Sequence, residues 1–230
     1  RDALELIEKN YGRKIDFSKM DYDDPKVYEL LSSGNTLGVF QLESAGMRSF
    51  MKQLRPDNFE DIVAGISLYR PGPMDSIPTY IENKNNPDKV TYIHERLKPI
   101  MDVTYGCLVY QEQVMQVVRD LGGYSYGRSD LVRRAMGKKK MDVMEEERRY
   151  FIYGKEDDNG NVEITGCVRN GIPEDIANKI FDDMIDFAKY AFNKSHAAAY
   201  GVLSYETAYL KAYYPVEFMA ALITSVMGNT

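Results

Sequence analysis

Tryptophan is absent from the 230 residues, and cysteine and histidine occur only twice each. The two cysteines, Cys107 and Cys167, are too few for a disulfide framework, and two histidines add too little for a structural zinc site. No stretch approaches the roughly 20 apolar residues that a membrane-spanning helix needs. These absences predict a soluble protein of a reducing compartment, which we expect in the cytoplasm and without contact with a membrane.

Charge is distributed unevenly along the chain, whose net charge is −6. Between Arg119 and Lys140, seven basic and two acidic residues give a local balance of +5, and the stretch from Asp142 to Asp158 is predominantly acidic. A basic patch on an acidic protein indicates a ligand that carries phosphate. A solvated helix face is the alternative, and charge alone leaves both open.

Apolar residues recur at helical spacing along most of the chain, which predicts a mainly α-helical fold with a few short strands and a hairpin. Asp24 and Pro25 begin a helix that Gly34 ends. Residues 37–42 form a candidate strand, and the turn at 157–161 with a return strand at 162–165 predicts the hairpin. Further helices are expected over 43–54, 58–69, 111–121, 125–136, 173–190, 195–213 and from Pro215 onward.

The helix expected over 126–136 directs Arg133 and Arg134 away from the core. Its apolar arc consists of Leu131, Val132, Ala135 and Met136. At 100° per residue, Arg133 and Arg134 lie on either side of the opposite arc. Three lysines follow the break at Gly137, and if they open the next helix, its first free N–H groups lie close by: Lys138, Lys139 and Lys140. Arginine forks, lysines and the free N–H groups of a helix start together suit a triphosphate or a DNA backbone.

A second segment places aromatic, basic and small residues at a predicted helix start. Its candidate contacts to a base pair or template are Tyr190, Phe192, Asn193, Lys194, Ser195 and His196. His196 and Tyr200 share a helix face, and the following alanines allow a base pair or sugar to approach closely. The alternative is helix packing through small residues with a hydrogen-bonded, partly buried His196, and the pattern alone favours that alternative.

Motifs of known catalytic centres are missing. The aspartates at 21, 23 and 24 are better explained by a turn that leads into a capped helix than by a two-metal site. The sequence contains no P-loop, no nucleophile elbow and no histidine–cysteine constellation. We therefore assign neither catalytic nor metal-binding residues to this chain.

Several strings of the sequence resemble the fingers region of the C-family bacterial replicative DNA polymerases, the DNA polymerase III alpha subunits. They occur in the order of the family, and several are six or more residues long, so chance does not explain them. The similarity runs from about Thr36 to Thr230. The strings are Val39–Ser44 with Gly46-Met47, Tyr69–Met74, Thr104–Gly106, Val109–Met115, Arg133–Lys140, Phe192–His196 and Tyr214–Ala221.

The resemblance implies a fingers domain over residues 36–230, with a turn-rich insertion at about 153–170, after an N-terminal helical segment over 1–35 that follows the palm. It implies binding of deoxynucleoside triphosphates and primer–template DNA. The catalytic aspartates and the ligands of Mg²⁺ would lie in the palm outside this chain, and other replicase subunits, including the sliding clamp, would bind the parent protein. Because the chain begins at Arg1 rather than methionine, we expect it to be part of a longer polymerase. Because the catalytic aspartates would lie outside it, we expect it to be inactive alone.

The same resemblance gives the candidate residues their roles. Arg133 and Arg134 match arginines of the family's basic motif that are expected to meet the triphosphate, and the three lysines continue that motif. The segment 190–196 matches the part expected near the nascent base pair, with Ala191 where the family usually has glycine. The alternative is a stand-alone helical nucleic-acid-binding or interaction module without a role in catalysis.

Overall fold

The computed structural model describes residues 1–138, 140–188 and 190–227. Within these ranges the chain forms twelve α-helices and one antiparallel pair of short strands, which confirms the mainly helical fold. No helix in the same ranges is long and apolar enough to span a bilayer. The chain divides into two compact units, one of Arg1–Tyr69 with Ser195–Thr230 and one of Arg70–Lys194. The predicted boundary at residue 35 stays a prediction.

The first unit is a helical assembly whose members come from both ends of the chain. Residues of the first, eleventh and twelfth helices share one apolar cluster, which includes Ile7, Leu210 and Phe218. Burial of such side chains supplies the main favourable free energy of folding. The helices are α1 (Asp2–Tyr11), α2 (Pro25–Ser33), α3 (Ala45–Leu54), α4 (Phe59–Leu68), α11 (Lys194–Tyr213, all but its first residue) and α12 (Pro215–Met227).

Helix α2 begins and ends where the sequence predicts. The Asp24 carboxylate accepts hydrogen bonds from the backbone N–H groups of Lys26 at 2.9 Å and Val27 at 3.4 Å. Gly34 ends the helix at a φ of 67°, a left-handed conformation that glycine adopts without strain. Asp24 also joins α2 to α11, because its second carboxylate oxygen accepts a hydrogen bond from the Tyr213 hydroxyl at 2.8 Å.

The predicted strand over residues 37–42 is wrong, because this stretch is a series of turns. Gly38 and Gln41 have φ values of 80° and 62°, which a strand does not allow. The backbone bonds are local: the N–H of Val39 donates to the carbonyl of Thr36, and the N–H of Leu42 to that of Val39, each at 3.0 Å. Val39 and Leu42 are both fully buried, so the apolar pattern reflects burial rather than a sheet.

The second unit packs its helices around a core that includes Val118, Val132, Phe151 and Phe181, all fully buried. The predicted hairpin is confirmed, since Lys155 pairs with Ile164 in an antiparallel ladder. The elements are α5 (Ile77–Asn85), α6 (Lys98–Met101), α7 (Gln111–Asp120), α8 (Tyr126–Gly137), α9 (Met141–Tyr153), β1 (Lys155–Glu156), β2 (Val162–Ile164) and α10 (Glu174–Ala188).

Helices α8 and α9 are held together by a largely buried ion pair. The Arg128 guanidinium lies 2.5 Å from the Glu147 carboxylate, and the Glu147 side chain is 2% exposed. The Tyr124 hydroxyl donates to the backbone carbonyl of Glu147 at 3.0 Å. A buried charge that loses its partner is strongly destabilising, so this pair fixes α9 against α8.

The predicted apolar arc of α8 needs one correction. Val132 and Ala135 are buried as expected, but Leu131 is 41% exposed. Its position on the helix takes it out of the core, so the buried face is narrower than the sequence pattern indicates. The side chain of Met136 lies outside the described residues.

We predict that Asp24→Ala lowers the free energy of unfolding of the chain by about 1–2 kcal/mol, because the first N–H groups of α2 lose their cap. Urea unfolding followed by circular dichroism measures the change. Asp21→Ala is the matched control, since Asp21 is exposed in the same turn and does not cap the helix. Equal midpoints for the two variants would contradict the capping role.

Candidate functional site

A groove of about 430 Å³ lies between α8 and α9 in the second unit. Arg134 contributes from α8, and Lys138 and Lys140 from the connection between the two helices. The structure therefore brings together three of the five basic residues singled out in the sequence. Arg133 is not part of the lining, and Lys139 lies outside the described residues.

Arg133 and Arg134, near the end of α8, contact the same carboxylate. Asp130 accepts from Arg133 at 2.8 Å and from Arg134 at 2.7 Å. These hydrogen bonds, that of Arg133 first, hold the pKa of the Asp130 carboxyl below its ordinary value. The Arg134 side chain is 68% exposed and that of Arg133 only 31%. Since an exposed ion pair contributes little, Arg134 can turn towards an anionic ligand at a small cost.

The start of α9 adds positive character to the groove. Lys140 is the N-cap residue of this helix, and its ammonium group, which can only donate, cannot cap the first backbone N–H groups. The first N–H groups of a helix carry a partial positive charge, which disfavours a lysine and favours an anion, either the carboxylate of Asp142 in the first turn or a bound phosphate. Of the three lysines expected near a helix start, Lys140 lies there, Lys138 directly follows α8, and Lys139 lies outside the described residues.

The acidic residues of the groove are engaged by neighbouring groups. Glu147 is paired with Arg128, and Glu146 accepts a hydrogen bond from the Tyr150 hydroxyl at 2.6 Å. Lys155, on the same lining, is paired with Glu163 at 2.5 Å. Lys138 and Lys140, between α8 and α9, take no part in these pairs, and a phosphate group would be attracted to them.

The aromatic part of the second segment lies on the turn that follows α4. The Arg70 guanidinium stacks over the Phe192 ring at 3.8 Å from its centroid, and it donates to the Tyr190 carbonyl at 3.3 Å. The Tyr190 ring covers Gly72, whose φ is 101° and where a Cβ would overlap the ring. Only glycine suits this position, and Tyr190 is left 47% exposed as a flat aromatic surface.

Asn193 and Lys194 meet at a single carboxylate, that of Glu112. The Asn193 side-chain amide donates to Glu112 at 2.9 Å, and the Lys194 backbone N–H lies 3.0 and 3.1 Å from its two oxygens. The Lys194 ammonium lies 5.1 Å from the centroid of the Tyr110 ring. Sequence analysis assigned no role to Glu112 or Arg70. The only sequence signal for either residue was its position in a string that resembles the polymerase family, Tyr69–Met74 for Arg70 and Val109–Met115 for Glu112.

Ser195 and His196 open the part of α11 that belongs to the first unit, and both are exposed. The His196 ring lies 4.2 Å from that of Tyr200, so the expected shared face is confirmed. The alternative prediction of a partly buried His196 is wrong, because the residue is exposed. Packing through small residues does occur one turn later, where a Cβ on Gly201 would lie 3.2 Å from Phe59.

Among the residues described here, no group of three or more histidine, cysteine, aspartate or glutamate side chains is placed to hold a metal ion. Asp24 serves as the cap of α2, as the sequence predicts for the cluster of aspartates before that helix.

Both cysteines are free thiols, and burial raises the pKa of Cys107 to about 11 and that of Cys167 to about 12.

Comparison with known proteins gives the same family throughout. The family model of the bacterial DNA polymerase III alpha subunit finger domain matches residues 1–159. DNA polymerase III subunit alpha of Thermus aquaticus is 48% identical over 228 residues, covering 97% of this chain and 18% of that protein. The subunit alpha of Staphylococcus aureus (strain COL) is 46% identical over 226 residues, covering 98% of this chain and 20% of its own length. The chain thus spans about a fifth of these relatives, and it belongs to the bacterial DNA polymerase III alpha subunit finger domain family.

Proposed function

We propose that this chain is the fingers region of a replicative DNA-directed DNA polymerase and that the groove between α8 and α9 binds the triphosphate of the incoming deoxynucleotide. The observation that carries the proposal is the convergence of Arg134, Lys138 and Lys140 with the start of α9 on one groove. A triphosphate supplies the negative charge that this arrangement lacks. Because the chain belongs to a DNA polymerase family, we propose a nucleotide as the anion.

Arg133 and Lys139 complete the proposed phosphate site. Arg133 lies beside Arg134 on α8 and shares its Asp130 partner, so movement of Arg134 to a phosphate leaves Asp130 with Arg133. Asp130 thereby stays compensated when the ligand binds. Lys139 enters the proposal through the basic motif of the sequence alone.

We assign the segment 190–196 to the nascent base pair and template. In the second unit, exposed Tyr190 and the Arg70–Phe192 stack offer flat surfaces of the kind on which bases stack. Asn193 and Lys194 supply polar groups beside them. In the first unit, Ser195 and His196 are exposed at the beginning of α11.

Magnesium belongs to the proposed reaction, where it would offset the charge of the transferred phosphate. The groove carboxylates do not fit as its ligands, because Glu147 is paired with Arg128 and Glu146 accepts from Tyr150. We place its ligands and the catalytic aspartates in the palm of the parent polymerase, as the family resemblance implies. This chain contributes binding, orientation and positive charge. Primer–template DNA is its proposed partner, and other replicase subunits, including the sliding clamp, would join through the parent.

We predict that Arg134→Ala in the full-length polymerase lowers nucleotide affinity about 10- to 150-fold. A charge-assisted hydrogen bond contributes about 1.5–3 kcal/mol, and about 1.4 kcal/mol corresponds to a factor of ten. Stability should change by no more than about 0.5 kcal/mol, since the side chain is exposed. Arg134→Lys should recover only part of the affinity, because an ammonium cannot make a planar two-pronged contact.

Nucleotide titration at saturating primer–template measures this effect. The control is Arg169→Ala, which removes a surface arginine of the same unit that is paired with Glu156 and lies outside the groove. Weaker DNA binding with normal nucleotide affinity would reassign Arg134 to the DNA backbone. Normal affinity for both ligands would make the basic cluster a solvated helix face.

We also predict that the isolated chain does not extend a primer in the presence of template, triphosphates and Mg²⁺, because the proposed catalytic aspartates lie elsewhere in the parent. Gel analysis of labelled primer after incubation gives the result, and the full-length polymerase is the positive control. Template-dependent extension that persists through stringent purification would overturn the proposal that the catalytic aspartates lie outside this chain. Normal activity of a parent polymerase from which this chain is deleted would favour the alternative, a helical nucleic-acid-binding or interaction module without a catalytic role.

A further inference from the structure

Glu112, in the first turn of α7, connects that helix to Asn193 and Lys194, which belong to the same unit. Its carboxylate receives the Asn193 side-chain amide and the Lys194 backbone N–H at distances between 2.9 and 3.1 Å. The two donors are 81 and 82 residues away along the chain. Hydrogen bonds to a carboxylate are among the stronger ones in proteins, so a tertiary contact of this kind can fix a local conformation.

The turn that carries Glu112 is itself firmly held. The buried Gln113 side chain accepts from the backbone N–H groups of Val109 at 2.9 Å and Tyr110 at 3.0 Å, and it donates to the Thr104 hydroxyl at 2.7 Å. The backbone N–H of Gln111 donates to the carbonyl of Phe192 at 2.9 Å. Glu112 therefore extends from a rigid base rather than from a mobile surface turn.

The carboxylate gives the start of α11 an electrostatic character opposite to that of α9. At α11 the N–H of Lys194 is occupied by the negative charge of Glu112, a favourable pairing with the helix dipole. At α9 the N-cap residue is Lys140, which provides no such cap. A phosphate is repelled by Glu112 at the first position, whereas Lys138 and Lys140 would attract it at the second.

We infer that Glu112 is a positioning residue for nucleotide incorporation, which holds the segment 190–194 in the conformation that meets the nascent base pair and does not itself contact the triphosphate. The inference rests on the role proposed above for that segment. In this inference the two sites of the second unit have different roles. The groove at α9 sets nucleotide affinity, and the Glu112 contact sets the rate at which a bound nucleotide reacts. Misplacement of a positioning group by about 1 Å lowers a reaction rate by up to about 100-fold.

Single-turnover incorporation by the full-length polymerase tests the inference with Glu112→Ala and Glu112→Gln. We expect the maximal rate of Glu112→Ala to fall about 10- to 100-fold, with nucleotide affinity changed less than about threefold. Glu112→Gln should recover part of the rate, since its remaining carbonyl oxygen can still accept from Lys194. The matched control is Glu217→Gln, because buried Glu217 lies in the first turn of α12 and accepts from the Asn10 amide at 2.9 Å. The melting temperature of Glu217→Gln should fall as much as that of Glu112→Gln, but its incorporation kinetics should stay normal.

Amide hydrogen exchange of the peptide around 190–200 in the same full-length variants gives a readout that is independent of catalysis. Faster exchange in Glu112→Ala, together with the lower rate, supports the inference. Unchanged exchange, a normal rate, or a loss of affinity at normal rate would each overturn it. Normal nucleotide affinity in Arg134→Ala, with the expected behaviour of Glu112→Ala, would refute the proposed phosphate groove and leave the positioning role supported.

Discussion

The buried ion pair between Arg128 and Glu147 is the interaction on which the candidate phosphate groove depends. It joins α8 to α9 at a point where the glutamate is shielded from water, so its loss would leave an uncompensated charge in the core. Because the two helices are fixed there, the end of α8 and the start of α9 face one groove. Arg134, which is paired with Asp130, then lies beside it together with Lys138 and Lys140.

The two helix starts in the second unit differ in charge, and this difference underlies the proposal that phosphate and base bind at different places. The start of α9 gathers positive charge and suits an anion, whereas the start of α11 already holds the Glu112 carboxylate. Beside the latter lie the Tyr190 ring and the Arg70–Phe192 stack, which are flat and suited to bases. In the proposed function, electrostatics and shape would assign the two parts of a nucleotide to these two places.

Local signals were predictable from the sequence, and contacts across long separations were not. Asp24 and Gly34 delimit α2 as predicted, because caps depend on neighbouring residues. Residues 37–42 were wrongly predicted as a strand, since a short apolar run does not reveal the positive φ values that turn this chain. The same limit applies to the site. The basic cluster is visible in the sequence, whereas the Glu112 contact with Lys194 crosses 82 residues and exists only in the folded chain.

The most direct measurement is a structure of the full-length polymerase with primer–template DNA and an unreactive analogue of the incoming nucleotide, determined by cryo-electron microscopy. The account predicts triphosphate oxygens within about 3 Å of the Arg134 guanidinium and of a lysine at the start of α9. Arg134 should have left Asp130, and the base should lie against the segment 190–194. A triphosphate bound away from α8 and α9, with Arg134 still paired to Asp130, would contradict it.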